Sequence, residues 1–227
     1  MKTIVYIDGF NLYFGCLTGT SYKWLDIEKL LLRLCKEQDP KSDVTAIKYF
    51  TAEISPNLSP HGLRAYEAQR DYLLALAKHC EHVEIIRGKF FICRSSLYPR
   101  EPDTKYPTSF DSKVDVWRPE EKQTDVNIAI EMLCDAQDSR SEQQVLVTND
   151  SDLSPLLKKL KIRYPTVIQG VISPINKIDA ENRRPSAELD KCSDWIREKI
   201  TDEELRSSAL PPFVLTRKRK INKPDHW

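Results

Sequence analysis

Carboxylates fall at three places along the chain, two of which a parallel sheet could bring together. Asp8 directly follows the apolar run of residues 3–7 (T-I-V-Y-I) and is followed by Gly9 and Asn11. Asp150 and Asp152 come just after a second such run, residues 144–148 (Q-V-L-V-T). Asp125 opens a stretch in which Val126, Ile130 and Leu133 recur at helical spacing. In a parallel sheet the residues just beyond the strands collect along one edge, and ligands bind there where the strand order reverses. If the two runs are neighbouring strands, Asp8, Asp150 and Asp152 share one crevice. Carboxylates so crowded repel one another and normally need a cation. Hard oxygen ligands with no nearby His or Cys pair favour Mg2+ or Mn2+ over zinc.

Each of these residues also has an ordinary reading. Asp8-Gly9 is a common turn dipeptide, and Asn11 can merely cap or turn the chain. Asp150 and Asp152 can be helix N-caps, although Ser154 before Pro155 is the better cap and would leave both unneeded. Asp125 suits the first turn of a helix through the helix dipole alone. Glu120, Glu121 and Lys122 read first as a solvated charged run.

The elements that must position these groups alternate along the chain. Residues 3–7 form a strand covered on both faces, and residues 25–36 follow with helical spacing behind Asp26 as N-cap. Residues 44–51 read as a second strand, Ser59-Pro60 starts a helix that runs to about residue 79, and residues 83–93 read as a third strand. The polar segment 94–121 carries four prolines and no helical period. Only residues 113–117 alternate there like a strand, and an edge hairpin is expected. A helix over 122–136, a fourth strand at 144–148, a helix over 154–161, a fifth strand at 165–171 and one or two helices within 186–200 follow. This order implies right-handed crossovers and an α/β fold, with a mostly parallel five-stranded sheet and helices on both faces.

Composition sets the outer limits. With 40% hydrophobic and 30% charged residues in a chain of 227, global disorder, collagen and a membrane bundle are excluded. No apolar stretch approaches the roughly 20 residues that cross a bilayer, and the run after Lys2 meets Asp8 too soon for a signal peptide. A cytoplasmic protein with no membrane partner is expected. Six widely separated cysteines without a C-x-x-C pair suggest neither a zinc site nor a disulfide framework. Net charge is +1, yet residues 216–227 hold five basic residues against one acidic, a net +4, leaving −3 elsewhere. Arg217, Lys218, Arg219 and Lys220 in this tail suit phosphate contacts or simple solvation. Tyr98, Arg100, Lys105, Tyr106 and Phe110 in the proline-rich excursion suit stacking on single-stranded bases, or an ordinary surface loop.

Three segments, I-D-G-F-N-L-Y at residues 7–13, E-E-K-Q-T-D-V-N-I-A at 120–129 and V-T-N-D-S-D-L at 147–153, together resemble the NYN domain. That family includes LabA-like proteins and belongs to the PIN-like nuclease superfamily. Residues 183–195 (R-R-P-S-A-E-L-D-K-C-S-D-W) look like its closing helix, and the terminal I-N-K-P-D-H-W is similar to the ends of bacterial members. The resemblance implies a three-layer α/β/α PIN-like domain over residues 1–212, followed by a basic tail at 213–227. It implies a metal-dependent acidic site in which Asp8, Asn11, Asp125, Asp150 and Asp152 match the family's positions. Thr148 stands where Ser is commoner and Leu153 where Phe often stands; Glu121 is the best candidate for the fourth acid of many PIN-like nucleases.

The activity so implied is phosphodiester hydrolysis by a Mg2+- or Mn2+-dependent nuclease, an endoribonuclease on single-stranded RNA. Asp8 and Asp150 would hold the metal, Asp125 and Asp152 would complete the site, and Asn11 would orient a ligand or phosphate oxygen. Lys122, Arg183 or Arg184 would touch phosphates, or simply be solvated. Two alternatives stand beside this. Some members of this bacterial branch are described as hydroxylases (monooxygenases) of a substituted pyridine ring, for which the sequence offers no G-x-G-x-x-G, haem motif or His-rich iron site. The other is a nucleic-acid-binding module with little turnover.

Overall fold

The first strand, β1 (Lys2–Asp8), is buried at every position but its first. Its side chains alternate between two cores: Val5 and Ile7 pack on one face of the sheet, Ile4 and Tyr6 on the other. That double coverage is why apolar residues run consecutively instead of alternating with polar ones. The computed structural model describes residues 1–56, 62–100, 102, 104–106, 109, 111–176 and 183–227.

After β1 the chain turns at once into α1 (Gly9–Leu12), which continues as a single π-helical turn, Tyr13–Leu17. Then come α2 (Ile27–Gln38), β2 (Asp43–Thr51), α3 (Gly62–His79) and β3 (Val83–Arg87). Asp26 caps α2 as expected, accepting the Lys29 backbone N–H at 2.9 Å. The expected start of α3 at Ser59-Pro60 lies outside the described residues. Next are β4 (Lys89–Leu97), β5 (Val114–Lys122), α4 (Thr124–Gln137) and β6 (Gln143–Val147). A 3-10 turn, Ser151–Leu153, leads into α5 (Ser154–Arg163), and β7 (Ile168–Ile172), α6 (Ala187–Cys192) and β8 (Trp195–Arg197) follow. The chain closes with α7 (Asp202–Ser207), β9 (Phe213–Leu215) and β10 (Lys220–Asn222).

The main sheet is parallel throughout, in the order β3-β2-β1-β6-β7-β8. From β1 the chain builds outward to β3, then returns to the other side of β1, so the order reverses between β1 and β6. Ile7 lies opposite Val147 in register, which brings the residues after both strands to the same edge. Helices α2 and α3 cover one face, and α4, α5 and α6 the other, giving the three α/β/α layers. Among the described residues no helix is long and apolar enough to cross a membrane.

Three expectations are corrected. The sheet has six strands, not five, because β8 lies inside the segment 186–200 expected to be helical; at three residues, Trp-Ile-Arg is too short to display alternation. Residues 83–93 are not one strand: they break at Gly88 into β3, which pairs with β2, and β4, which leaves the sheet. Finally, the hairpin is not an edge of the main sheet. Strands β4 and β5 pair only with each other, from Lys89 opposite Lys122 to Leu97 opposite Val114, as a separate two-stranded ribbon.

A buried polar cluster sets the seat of α4. Lys48, opposite Tyr6 in register, binds Glu131 at 2.6 Å and Asp135, and the Tyr6 hydroxyl donates to Asp135 at 2.7 Å. Lys48 and Asp135 are 6% and 1% exposed, so removing either would break a buried ion pair, leaving Lys48 with Glu131, or Asp135 with the more distant Arg140 at 3.5 Å, as its charged partner. The helix that carries Asp125 is thereby fixed against β1 and β2.

Residues 213–227 lie against the body. Strands β9 and β10 form an antiparallel hairpin whose Val214 and Ile221 enter the main core. Arg219 pairs with Asp71 on α3, and the Lys220 ammonium sits 3.9 Å from the Phe213 ring centroid. The Trp227 ring stands edge-on to Tyr72 at 5.7 Å and to Trp24 at 6.5 Å. Each such aromatic pair adds about 0.5–1.5 kcal/mol beyond its buried area. Trp227→Ala is therefore expected to lower the melting temperature by roughly 4–8 °C, and an unchanged thermal melt would show that the docked ring holds nothing.

Candidate active site

At the edge where β1 and β6 end, the chain places an open cleft of about 290 Å³ lined by Asp8, Phe10, Asn11, Phe14, Glu121, Gln123, Thr124, Asp125, Val126, Asp150 and Arg183. Four acids from three separate segments, the end of β1, the β5–α4 junction and the loop after β6, therefore share one wall.

Asp8 is the most enclosed, 6% exposed at the end of β1. Its Oδ1 accepts the Asn11 backbone N–H at 2.9 Å, which caps α1, and its Oδ2 accepts the Thr148 hydroxyl at 3.1 Å. Burial raises its pKa to about 6; the two hydrogen bonds oppose that rise, and the charges of Asp125 and Asp150 add to it. Thr148 in turn accepts the Asp150 backbone N–H at 3.1 Å, so one hydroxyl ties the two aspartates together. Gly9 is required beside Asp8, since a Cβ there would lie 2.6 Å from the Phe50 carbonyl oxygen.

Asp150 lines the cleft and is also a cap: its Oδ1 accepts the Asp152 backbone N–H at 2.9 Å at the head of the 3-10 turn. The expectation that Ser154 would free both aspartates from capping is thus corrected. Leu153 precedes α5 without a side-chain cap, and the 3-10 turn inserted before it needs Asp150. Asp152 is exposed on that turn and does not line the cleft; it reaches the site as a charge that helps raise the pKa of Asp125. Asp125, exposed in the first turn of α4, has its pKa raised by partial burial first, then by Asp150 and Asp152.

Glu121 belongs to the cleft and not to a solvated run. It ends β5, half-buried, and accepts the Thr124 hydroxyl on Oε1. Burial lifts its pKa to about 7, the Thr124 hydrogen bond opposes this, and the charges of Asp8 and Asp125 reinforce it. Its neighbour Lys122 points elsewhere, exposed and paired with Glu120 at 3.0 Å, and is not part of the lining.

Asn11 acts as a clamp: its Oδ1 accepts the Asn149 backbone N–H at 3.1 Å, joining α1 to the loop after β6. Asn149 then accepts the Ser186 N–H at 2.8 Å and donates to the Arg184 carbonyl at 3.0 Å. The segment bearing Arg183 is held over the cleft by that side chain. Arg183 is the sole cation among the described lining residues, and its guanidinium fits because Gly15 lacks a side chain: a Cβ at Gly15 would lie 3.2 Å from Nη1 and 1.9 Å from the Pro174 carbonyl oxygen. Arg184 is exposed and outside the lining, as are Arg217, Lys218, Arg219 and Lys220 on the C-terminal hairpin. Of the excursion residues proposed for base stacking, Phe110 lies outside the described residues, and Tyr98, Arg100, Lys105 and Tyr106 are not in the lining.

Sequence reasoning missed the structural parts of Thr148 and Asn149, and missed Phe10, Phe14, Gln123, Thr124 and Val126 altogether. The signal for the first two was their place inside V-T-N-D-S-D; the others become visible only when β5 and α1 meet.

Between Glu121 and Asp125 the backbone is strained. Gln123, which precedes α4, sits at φ 79°, a left-handed conformation that costs a side-chain-bearing residue about 1 kcal/mol. Gln123→Gly is expected to raise the denaturant midpoint by the equivalent of about 1 kcal/mol. A midpoint that falls would mean that the Gln123 side chain, not the backbone, holds this corner.

Among the described residues the lining offers only hard oxygen donors as metal ligands, without His or Cys. That donor chemistry fits a divalent ion that keeps several of its waters. Among the described residues no three potential ligands close on a single point, so the acids form a wall and not a cage.

Residues 96–193 match the NYN domain, a span that contains Glu121, Asp125, Asp150, Asp152 and Arg183 but begins after Asp8 and Asn11. The whole chain is similar to the 6-hydroxy-3-succinoylpyridine 3-monooxygenase HspA of Pseudomonas putida (strain DSM 28022 / S16): 35% identical over 243 aligned residues, covering 100% of this chain and 75% of that one. A crystal structure of a protein of unknown function, VPA0982 of Vibrio parahaemolyticus RIMD 2210633, aligns over 89% of this chain and 94% of its own with a TM-score of 0.47 and 18% identity. The chain is an NYN-domain protein and belongs to the same family as the Pseudomonas putida protein.

Proposed function

We propose that the protein is a Mg2+- or Mn2+-dependent nuclease that hydrolyses phosphodiester bonds of single-stranded RNA. The observation that carries this reading is the meeting of Asp8, Glu121, Asp125 and Asp150, from three chain segments, in a cleft with one arginine at the reversal point of the sheet. Asp8 and Asp150 would hold the ion, with Asp125 and Glu121 binding it or its waters. A divalent ion there supplies neutralisation of phosphate charge and an acidified water. Arg183 would take a phosphate oxygen in charge-assisted hydrogen bonds. Glu121, poised near neutral pH with Oε1 engaged by Thr124, is the carboxylate best suited to accept a proton from an attacking water. Asn11 would keep the two loops, and hence the acids, in register.

A second reading, hydroxylation of a substituted pyridine, is favoured by the name of the Pseudomonas putida relative. Ring hydroxylation requires a redox partner for dioxygen, and the lining lacks the two histidines of a facial iron triad. A nucleic-acid-binding module with little turnover would keep the cleft but not use it. The decisive experiment incubates purified protein with labelled single-stranded RNA, single-stranded DNA and duplexes in Mg2+, Mn2+ or EDTA, and separately with 6-hydroxy-3-succinoylpyridine, NADH and air. Cleavage of single-stranded RNA that EDTA abolishes is expected. No cleavage, with NADH consumed only when the pyridine is present, would establish the second reading instead.

A further inference from the structure

We infer that a row of three phenylalanines beside the acidic cleft receives the unpaired bases of the substrate and so selects single strands over duplexes. This rests on the nuclease reading and adds to it the residues that set substrate class.

Phe10 and Phe14 are four residues apart on the helical segment that follows Asp8, so their rings share a face. Their centroids are 6.1 Å apart with planes inclined by only 20°. Phe90, on β4, continues the row at 6.4 Å from Phe10 and 23°. Two of the three line the cleft, and Phe14 is 56% exposed. Phe90 lies directly opposite Glu121 in the ribbon register, and directly opposed residues share a face. The row therefore abuts the acid wall on the β5 side and the α1 side alike.

The same ribbon face runs on outward. By alternation it presents Arg94 with its cross-strand partner Trp117, about 13 Å further along. Trp117 is 64% exposed, and the Arg94 guanidinium covers one side of its ring at 5.2 Å. Near-parallel rings, Phe14 exposed and Phe10 and Phe90 half-buried, ending in an exposed ring stacked by arginine form a platform for planar partners, with Arg183 in the cleft for the backbone. Every base has a stackable face, so such a platform is tolerant of sequence, whereas bases within a duplex already have both faces covered. A second copy of this chain would have to bring apolar side chains up to a cleft wall of four carboxylates, where a base attached to a phosphate brings an anion for Arg183 and for a bound cation.

The test measures affinity, in EDTA, of full-length protein for a fluorescent oligoribonucleotide, the same strand with abasic sites, and the same strand annealed to its complement. Phe14→Ala and Phe90→Ala are expected to lose about tenfold in affinity for the base-bearing strand, and the ratio of base-bearing to abasic affinity should fall by the same factor. Phe14→Trp should keep the wild-type ratio. Wild-type protein should prefer the single strand to the duplex, and each alanine variant should prefer it less. Alanine variants with the wild-type ratio, in a protein that still cleaves RNA with Mg2+ or Mn2+, would overturn the stacking role alone. Wild-type protein that binds and cleaves none of the three would overturn both this role and the nuclease reading.

Discussion

Asp8→Asn and Asp150→Asn are each expected to slow cleavage of single-stranded RNA at least roughly a thousandfold at saturating Mg2+, equivalent to about 4 kcal/mol of transition-state stabilisation. Asparagine isolates charge from scaffold. At Asp8 the retained Oδ1 can still accept the Asn11 N–H, and at Asp150 it can still accept the Asp152 N–H; asparagine caps as well as aspartate does. What disappears is one negative charge from the cleft wall and, at Asp8, the Oδ2 that accepts the Thr148 hydroxyl, where the amide NH2 can donate to the hydroxyl oxygen instead. Positions outside that wall should behave differently. Asp152→Asn, exposed on the 3-10 turn, should cost less than about tenfold because it acts only through its charge on Asp125. Lys122→Ala should be near wild type, since its ammonium is engaged by Glu120 at the surface. Single-turnover cleavage rates of the four variants check the ordering. Equal rates for wild type and both cleft variants would remove Asp8 and Asp150 from the chemistry.

What the sequence made legible follows from how each feature is encoded. Strands β1 and β6 are short, consecutive apolar runs; β1 ends in Asp8 and Asp150 follows β6 by three residues, and the strand-helix alternation around them allows the reversal that brings the two ends together. Both strands were readable from pattern alone, while their pairing, on which the shared edge depends, stood as a condition that the sheet order meets. Asp125 was readable only through the family motif, because an acid in a first helical turn is ordinary. Three features were hidden for physical reasons. Strand β8 is held by pairing with β7 and has too few residues to show a period. The hairpin of β4 and β5 was expected, but as an edge of the main sheet; it carries apolar and polar residues on both faces, so no burial pattern announces that it stands apart. Glu121 sits in a charged run whose consecutive members point to opposite faces of β5, one into the cleft and the next into solvent. Asp8 and Asp150 each spend one oxygen on a cap and line the cleft as well, so capping does not take either carboxylate away from the cleft. Residues 213–227, basic by composition, owe their place to Val214, Ile221 and Trp227, whose apolar surface outweighs the charge count.

The acid wall should also make stability depend on pH and on divalent ions in opposite ways. The pKa of Asp8 stands at about 6 and that of Glu121 at about 7, both above their ordinary values near 4. The folded protein therefore binds these protons more tightly than the unfolded chain does. A raised carboxyl pKa contributes stability that is fully present below the unfolded value, and that contribution is lost as pH rises through the folded value. Metal-free protein should accordingly lose stability between about pH 4 and pH 7. The buried Asp8 alone accounts for about 3 kcal/mol, and the partly exposed Glu121 for less per unit. His82, whose pKa is raised chiefly by its hydrogen bond to Glu28, titrates in the same direction. The informative quantity is therefore the difference between wild type and Asp8→Asn, which cannot ionise at that position and should be the more stable of the two at pH 8 in EDTA. Adding Mg2+ or Mn2+ should reverse the order. An ion that binds only the folded state stabilises by mass action, most strongly at pH 8 where protons no longer compete for the carboxylates. Asp8→Asn and Asp150→Asn should gain much less from it. Thermal melts of the three proteins at pH 5 and pH 8, in EDTA and across a metal titration, measure all of these differences. A wild type that melts at the same temperature at both pH values and ignores every divalent ion would mean that the carboxylates are held apart by structure and share no site.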